Sequence, residues 1–92
     1  FHTYDWLDMN MMQTGHCNNV DVTQRIQKDM QKLPTKPVWD GEPIYEDHPV
    51  CFNARDHGFS TDYDVRKSAY WAALGGACGH TYGCHPVWQM YS

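Results

Sequence analysis

A short apolar segment followed by acids, at residues 36–46, places the strongest constraint on how this chain can fold. Proline disfavours helical geometry in the residue before it, and valine and tryptophan suit a pleated surface, so Pro37 to Trp39 is predicted as a strand. The pair Asp40-Gly41 then breaks that strand. Two acids, Asp40 and Glu42, therefore stand at the carboxyl end of a strand.

These two acids permit two interpretations. In folds built on parallel strands, the loops at the carboxyl ends of the strands assemble the active site, so both acids are catalytic candidates. An Asp-Gly pair is also typical of a simple turn, which would leave the second acid in solvent. Local chemistry alone favours the turn.

The segments on either side of this strand have helical patterns. Asp21 with Gln24 resembles an N-cap and its partner, and Pro34 ends the helix that follows. Its apolar stripe consists of Val22, Ile26, Met30 and Leu33. Ser60 or Thr61 can cap a second helix, which residues 74–77 close. The small apolar face of that second helix consists of Val65, Ala69, Ala72 and Ala73.

Two further strands are predicted at the ends of the chain. The aromatic and apolar run 1–12 is typical of a strand covered on both faces, and it leads into a loop with Gln13 and His16. The segment 79–89 is predicted as a strand that runs into a histidine-rich loop. Residues 47–60 show few regular signals and are predicted as a long loop over the carboxyl end of the central strand.

The predicted order is therefore strand, helix, strand, helix, strand, with crossovers long enough for parallel pairing. Three parallel strands and two helices leave sheet edges unpaired and faces uncovered. We expect residues 1–92 to be one partial domain, an α/β sector of a doubly wound sheet or of a β/α barrel.

The composition narrows the range of partners. Seven basic and eleven acidic residues give a net charge of -4 without a Lys/Arg cluster, so neither nucleic acid nor an anionic membrane surface is expected as a partner. The longest apolar run falls short of the roughly 18 to 20 residues of a membrane helix, and the first residues do not resemble a signal peptide. Neutral or small partners are expected.

The cysteines and histidines suggest an alternative from a different class, a zinc-binding module. Its candidate ligands are His16, Cys17, His48, Cys51, His80, Cys84 and His85. The compact ligand pairs of structural zinc sites are missing, so we expect neither a metal nor another cofactor. The four cysteines are also too sparse for a disulfide-dense domain, which favours free or buried thiols.

Four sequence blocks, spread over nearly the whole chain, carry a family resemblance. They are QTGH at 13–16, KPVWDGEPIYE at 36–46, YDVRKSAYW at 63–71 and GGACGHTYG at 75–83. In this order they resemble the apiosidase-like glycoside hydrolases of family 140. The resemblance implies a (β/α)8 TIM-type barrel, of which this chain is the C-terminal sector, from about strand six to strand eight. The rest of the barrel domain would be its partner.

The resemblance also implies an activity. It implies a glycosidase that acts on a plant-type polysaccharide or oligosaccharide, such as pectin, by a retaining mechanism. Such enzymes place a glutamate nucleophile at the end of the seventh strand, and Glu42 matches that position; Asp40 and Glu46 are its rivals. The second carboxyl of the catalytic pair would follow the fourth strand, outside this chain, so the fragment alone is expected to be inactive. A barrel sector without any catalytic role is the remaining alternative.

Other polar and aromatic residues are expected at the mouth of the barrel, in contact with the carbohydrate. They are Gln13, His16, Asp40, Glu46, His80, Tyr82 and Trp88. Trp39 is a further candidate for stacking on a sugar, whereas the position of Trp71 within a helix favours packing. By resemblance, the protein is expected in the bacterial periplasm or outside the cell.

Overall fold

The computed structural model describes residues 1–91 and shows an α/β fold around a parallel three-stranded sheet. The strand order follows the chain, with β1 at Asn10–Met12, β2 at Val38–Asp40 and β3 at Gly79–His80. Met11 pairs with Trp39, and Trp39 pairs with Gly79. The predicted order of strands and helices and their parallel pairing are therefore confirmed.

Within residues 1–91, four helices connect and follow the strands. They are α1 at Val22–Met30, α2 at Ala54–His57, α3 at Asp62–Leu74 and α4 at His85–Trp88. The Asp21 carboxylate accepts a hydrogen bond from the Gln24 amide at 2.9 Å and caps α1, as predicted. Thr61 caps α3 and forms a reciprocal capping box with Asp64. Of the two predicted caps for α3, the structure selects Thr61.

The two long helices cover one face of the sheet and leave the other open. The core between α1, α3 and β2 consists of Val22, Ile26, Val38 and Ala72. Side chains alternate along a strand, so Trp39 lies on the face opposite Val38. On that open face, Met11 is 64% exposed and Trp39 is 38% exposed. The sheet therefore has one buried face and one face that the described residues do not cover.

The first strand is much shorter than predicted. The amide of Tyr4 donates to the carbonyl of Phe1 at 3.0 Å, and the amide of Leu7 donates to the carbonyl of Tyr4 at 3.1 Å, so the chain turns twice before β1. The ladder begins where Asn10 donates to the carbonyl of Pro37 at 2.8 Å. Pro37 has no amide hydrogen, so the pairing cannot continue towards the amino terminus. The aromatic residues of this segment remain exposed.

Two further predictions need correction. Leu33 is 78% exposed and lies beyond the end of α1, so it is not part of the apolar stripe of that helix. The segment after β3 was expected to be a loop, but its residues 85–88 form the short helix α4. Pro86 lies in the first turn of α4, where the missing amide hydrogen costs nothing.

The long loop 47–60 contains local structure of its own. It includes a single 3-10 turn at Val50–Phe52 and the helix α2. Its ends are tied together because the Asp47 amide donates to the Ser60 carbonyl at 3.0 Å and the Ser60 amide donates to the His48 carbonyl at 2.9 Å. Across residues 1–91, no helix has the length and apolar character needed to cross a membrane.

A disulfide joins this loop to the segment after β1. Cys17 and Cys51, 34 residues apart in the sequence, are bonded to each other, whereas Cys78 and Cys84 are free thiols. The expectation of free or buried thiols is therefore wrong for Cys17 and Cys51, whereas Cys78 and Cys84 are free as expected. The pairing depends on how the loop folds back across the sheet end, which cysteine spacing does not reveal.

Candidate active site

Glu42 lies in the loop that leaves the carboxyl end of β2 and is held by the loop that follows β1. Its Oε2 accepts a hydrogen bond from the side-chain amide of Gln13 at 2.6 Å. Its Oε1 lies 3.2 Å from Nε2 of His16. The backbone amide of Gly15 also donates to the Glu42 carbonyl at 3.0 Å. The structure thus brings together three of the predicted site residues, and each carboxylate oxygen has a separate partner.

The ring of His16 is enclosed by other rings. It stacks on His48 with a centroid distance of 4.1 Å and meets the edges of Tyr45 at 4.8 Å and Phe52 at 5.4 Å. The residue is only 7% exposed, and its Nδ1 is buried without a hydrogen-bond partner among the described residues. This packing fixes the position from which Nε2 meets Glu42.

A pocket of about 480 Å³ opens beside Glu42. Most of its wall is made of rings, which belong to His16, Tyr45, His48, Phe52, His85 and Trp88. Within residues 1–91, Glu42 is the only acid that lines the pocket, and neither lysine nor arginine does. A carboxylate beside flat ring surfaces suits a neutral ligand that presents both hydroxyl groups and an apolar face.

Two titratable groups of the wall, His48 and Tyr45, favour their neutral forms. Burial lowers the pKa of His48, as do the nearby His16 and His85, although the hydrogen bond to the Pro49 carbonyl acts in the opposite direction. Burial, together with the negative charge of Glu42, raises the pKa of Tyr45. His48 is therefore neutral at neutral pH, and Tyr45 keeps its proton.

Glu46 and Tyr82 form a second polar pair, outside the wall of the pocket. The Tyr82 hydroxyl donates to Oε2 of Glu46 at 2.9 Å, and this hydrogen bond raises the pKa of Tyr82 to about 12. The backbone amide of Glu46 donates a hydrogen bond to the Gly83 carbonyl, and the Glu46 carbonyl accepts one from the His85 amide. The pair links the chain after β2 to the chain after β3.

Asp40 and His80, which were also expected to contact the substrate, do not line the pocket beside Glu42. Asp40 is 0% exposed because it shares the helix-covered face of the sheet with Val38. Its carboxylate accepts from the Thr14 hydroxyl at 2.6 Å and from the Thr14 amide at 3.3 Å. His80 pairs with Asp40 in the sheet, and burial lowers its pKa while the charge of Asp40 acts in the opposite direction.

Of the tryptophans considered for sugar stacking, Trp88 lines the pocket and the other two do not. Trp39 lies on the open sheet face and donates its indole hydrogen to the Thr81 hydroxyl at 3.1 Å. Trp71 lies on α3, where the Lys67 ammonium is 5.3 Å from its ring centroid.

The sequence did not predict several residues of the pocket wall as part of the carbohydrate site. His48 and His85 were considered as zinc ligands, and Tyr45 and Phe52 carried no signal of their own. In the region that the structure describes, no group of three or more His, Cys, Asp or Glu side chains is arranged to hold a metal ion. The histidines instead contact one another and the aromatic rings.

Two solved structures of glycoside hydrolases are similar to this chain. A solved structure described as a glycoside hydrolase is 36% identical, with a TM-score of 0.87, over 97% of this chain and 24% of its own. A family 5 glycoside hydrolase from Bacteroides vulgatus is 35% identical, with a TM-score of 0.87, over 97% of this chain and 21% of its own. The chain thus spans less than a quarter of either structure, and no curated protein matches it.

The family assignment comes from the whole chain. The family model for apiosidase-like catalytic domains matches residues 1–92 and confirms the resemblance carried by the four sequence blocks. The chain belongs to the apiosidase-like catalytic domain family.

Proposed function

We propose that this chain is part of a glycosidase and supplies its catalytic nucleophile, Glu42. The observation that carries the proposal is the placement of the Glu42 carboxylate at a strand end, beside a ring-lined pocket and held by Gln13 and His16. The family and the two similar glycoside hydrolases support the same activity.

We propose further that the chain is the C-terminal sector of a (β/α)8 barrel, from strand six to strand eight. Helices cover one face of the sheet, as in the outer layer of a barrel, while Met11 and Trp39 lie exposed on the other face. In a closed barrel that second face would be the packed interior, covered by strands from the rest of the domain. We call the protein with the complete barrel the parent protein.

The proposed reaction is hydrolysis with retention of configuration at the anomeric carbon. A Glu42 oxygen attacks this carbon, the bond to the leaving oxygen breaks, and a second carboxyl protonates that oxygen. Water then displaces Glu42 from the glycosyl intermediate, with the second carboxyl acting as the base. Gln13 and His16 orient the nucleophile because each occupies one side of the carboxylate. The second carboxyl belongs to the rest of the barrel, so residues 1–92 alone are inactive under this proposal.

The proposed substrate is a neutral sugar in a plant-type polysaccharide or oligosaccharide, such as pectin. The rings of the pocket offer flat surfaces to the apolar face of a sugar, and the pocket wall carries no lysine or arginine among the described residues to pair with a uronate. The proposed location is the bacterial periplasm or the extracellular space. The Cys17–Cys51 disulfide supports this location, since disulfides persist in oxidising compartments.

Replacement of Glu42 in the parent protein tests the proposal. Glu42→Gln keeps the shape and removes the nucleophile, so kcat should fall about a thousandfold or more. Glu46→Gln, the matched control outside the pocket, should cost about tenfold or less. A 2-deoxy-2-fluoro glycoside that traps the glycosyl intermediate should label Glu42, as peptide mass spectrometry would show. Near wild-type turnover in Glu42→Gln, or a label on another residue, would overturn the assignment.

A further inference from the structure

We propose that the Cys17–Cys51 disulfide is a positioning device of the active site, because it holds the ring of His16 in place against Glu42. The inference rests on the proposed function in one respect, the role of Glu42 as the nucleophile. Its consequence is that turnover depends on the oxidised state of this cysteine pair, while the folded core does not.

The disulfide fixes the backbone of His16 directly. Cys17 follows His16 in the chain and is bonded to Cys51 in the long loop. The amide of Cys51 also donates to the carbonyl of His16 at 2.9 Å. His16 is thus attached to the loop by a covalent link through its neighbour and by a hydrogen bond of its own.

The same part of the loop encloses the ring of His16. His48 stacks on it at 4.1 Å, and Phe52 meets it at 5.4 Å with an interplanar angle of 90°. Phe52 follows Cys51 directly, so the disulfide also sets where this ring lies. These two rings pack against the imidazole, whose Nε2 lies 3.2 Å from Oε1 of Glu42.

The backbone at Cys51 and Phe52 is expected to relax if the Cys17–Cys51 disulfide is lost. Both residues have positive φ angles, 53° and 60°, in the left-handed region that residues other than glycine seldom adopt. Such a conformation persists where the surroundings hold it in place. The disulfide is one of the constraints that hold this backbone. Without it, we expect Phe52 to move away from His16.

The core of the domain lies elsewhere. It is formed by α1, α3 and β2 around Ile26 and Val38, and neither Cys17 nor Cys51 belongs to it. Hydrogen bonds between Asp47 and Ser60 and between Val50 and Gly58 still close the loop in the absence of the disulfide. Loss of the disulfide should therefore displace the site without unfolding the domain.

A double-mutant cycle in the parent protein tests this coupling. Cys17→Ala/Cys51→Ala should lower kcat about tenfold to a hundredfold, because a displaced nucleophile attacks less often in the right geometry. In a His16→Ala background the same cysteine changes should lower kcat less than about twofold, because they act through His16. Cys78→Ala, which removes an exposed free thiol, is the control and should leave kcat unchanged. Equal losses in both backgrounds, or no loss in the first, would overturn the proposal.

A measurement that does not depend on activity separates this proposal from the proposed function. Imidazole nitrogen resonances of His16, from NMR of the oxidised and the dithiothreitol-reduced parent protein, should shift on reduction and return on reoxidation, while the methyl resonances of Ile26 and Val38 stay in place. Unchanged His16 resonances would overturn the positioning role. Retained turnover in Glu42→Gln would instead overturn the nucleophile assignment, whatever His16 shows.

Discussion

Asp40 and Thr14 are joined by two hydrogen bonds, from the threonine hydroxyl and from its amide to the two carboxylate oxygens. Both side chains are buried, Asp40 completely. Thr14 lies next to Gln13 and two residues before His16, so Asp40 anchors the loop that carries both partners of Glu42. Of the two acids at the end of β2, Asp40 therefore holds the loop that supports the site, and Glu42 is the candidate nucleophile.

Thr14→Val should destabilise the protein by about 1 to 3 kcal/mol, because it leaves a buried carboxylate oxygen without its hydroxyl partner. The change keeps the shape of the side chain, so the hydrogen bond is the main loss. Chemical denaturation with urea would measure the free energy of unfolding. Thr35→Val, at an exposed position, is the matched control and should change it by less than about 0.5 kcal/mol. Equal effects at the two positions would contradict the role of the Asp40–Thr14 contact.

Stability should fall in mildly acid conditions because of His48. Burial and the neighbouring histidines lower the pKa of His48 below its ordinary value of 6.5, so the unfolded chain binds the proton more readily than the folded protein. This contribution is fully present above pH 6.5 and is lost as the pH falls through 6.5 towards the lower pKa of the folded state. The groups that face His48 are the rings of His16, His85 and Phe52 and the charge of Glu42.

Unfolding free energies at pH 7.5 and pH 5.0 would check this. The decrease between the two pH values should be smaller in His48→Gln than in the wild type, because the variant has no imidazole to protonate at that position. His57→Gln, at an exposed position in the same loop, is the control and should leave the decrease unchanged. A decrease that is the same in all three proteins would contradict the prediction.

The Tyr82–Glu46 contact predicts a late phenol titration. The hydrogen bond to Glu46 raises the pKa of Tyr82 from 10.0 to about 12, so its contribution to stability is present below pH 10 and is lost as the pH rises through 12. Absorbance at 295 nm would follow the ionisation. Glu46→Gln should shift one tyrosine of the six to a lower pH. In a Tyr82→Phe background the same change should have no effect, and any shift there would assign the late titration to another tyrosine.

The framework of the fold could be predicted because its signals are local. The cap of α1 at Asp21 and the strand at Val38 follow from residue preferences over a few positions. Parallel pairing then places the ends of β1 and β2 at one edge of the sheet, which is how Gln13, His16 and Glu42 come together. The length of β1 could not be predicted from such local signals, because it depends on where the neighbouring strand stops offering hydrogen bonds.

The pocket wall could not be predicted, because it depends on how a long loop folds back. His48, Phe52 and His85 meet only after the loop 47–60 packs across the sheet end and α4 forms beside it. No periodic pattern in the sequence predicts these contacts. The Cys17–Cys51 disulfide could not be predicted for the same reason. The two cysteines are 34 residues apart, and they pair only because the loop folds back towards Cys17.

Trp88 should contribute to substrate binding in the parent protein. Its ring lines the pocket beside Glu42 and lies nearly parallel to the ring of His85, at an interplanar angle of 20°, so the two present neighbouring flat surfaces. Trp88→Ala should raise KM about twofold to tenfold, which corresponds to the 0.5 to 1.5 kcal/mol of a ring contact, with little change in kcat. Trp71→Ala, on α3 and outside the pocket, is the matched control and should leave KM unchanged. An unchanged KM in Trp88→Ala, measured by steady-state kinetics on the same oligosaccharide, would show that the sugar does not stack on this ring.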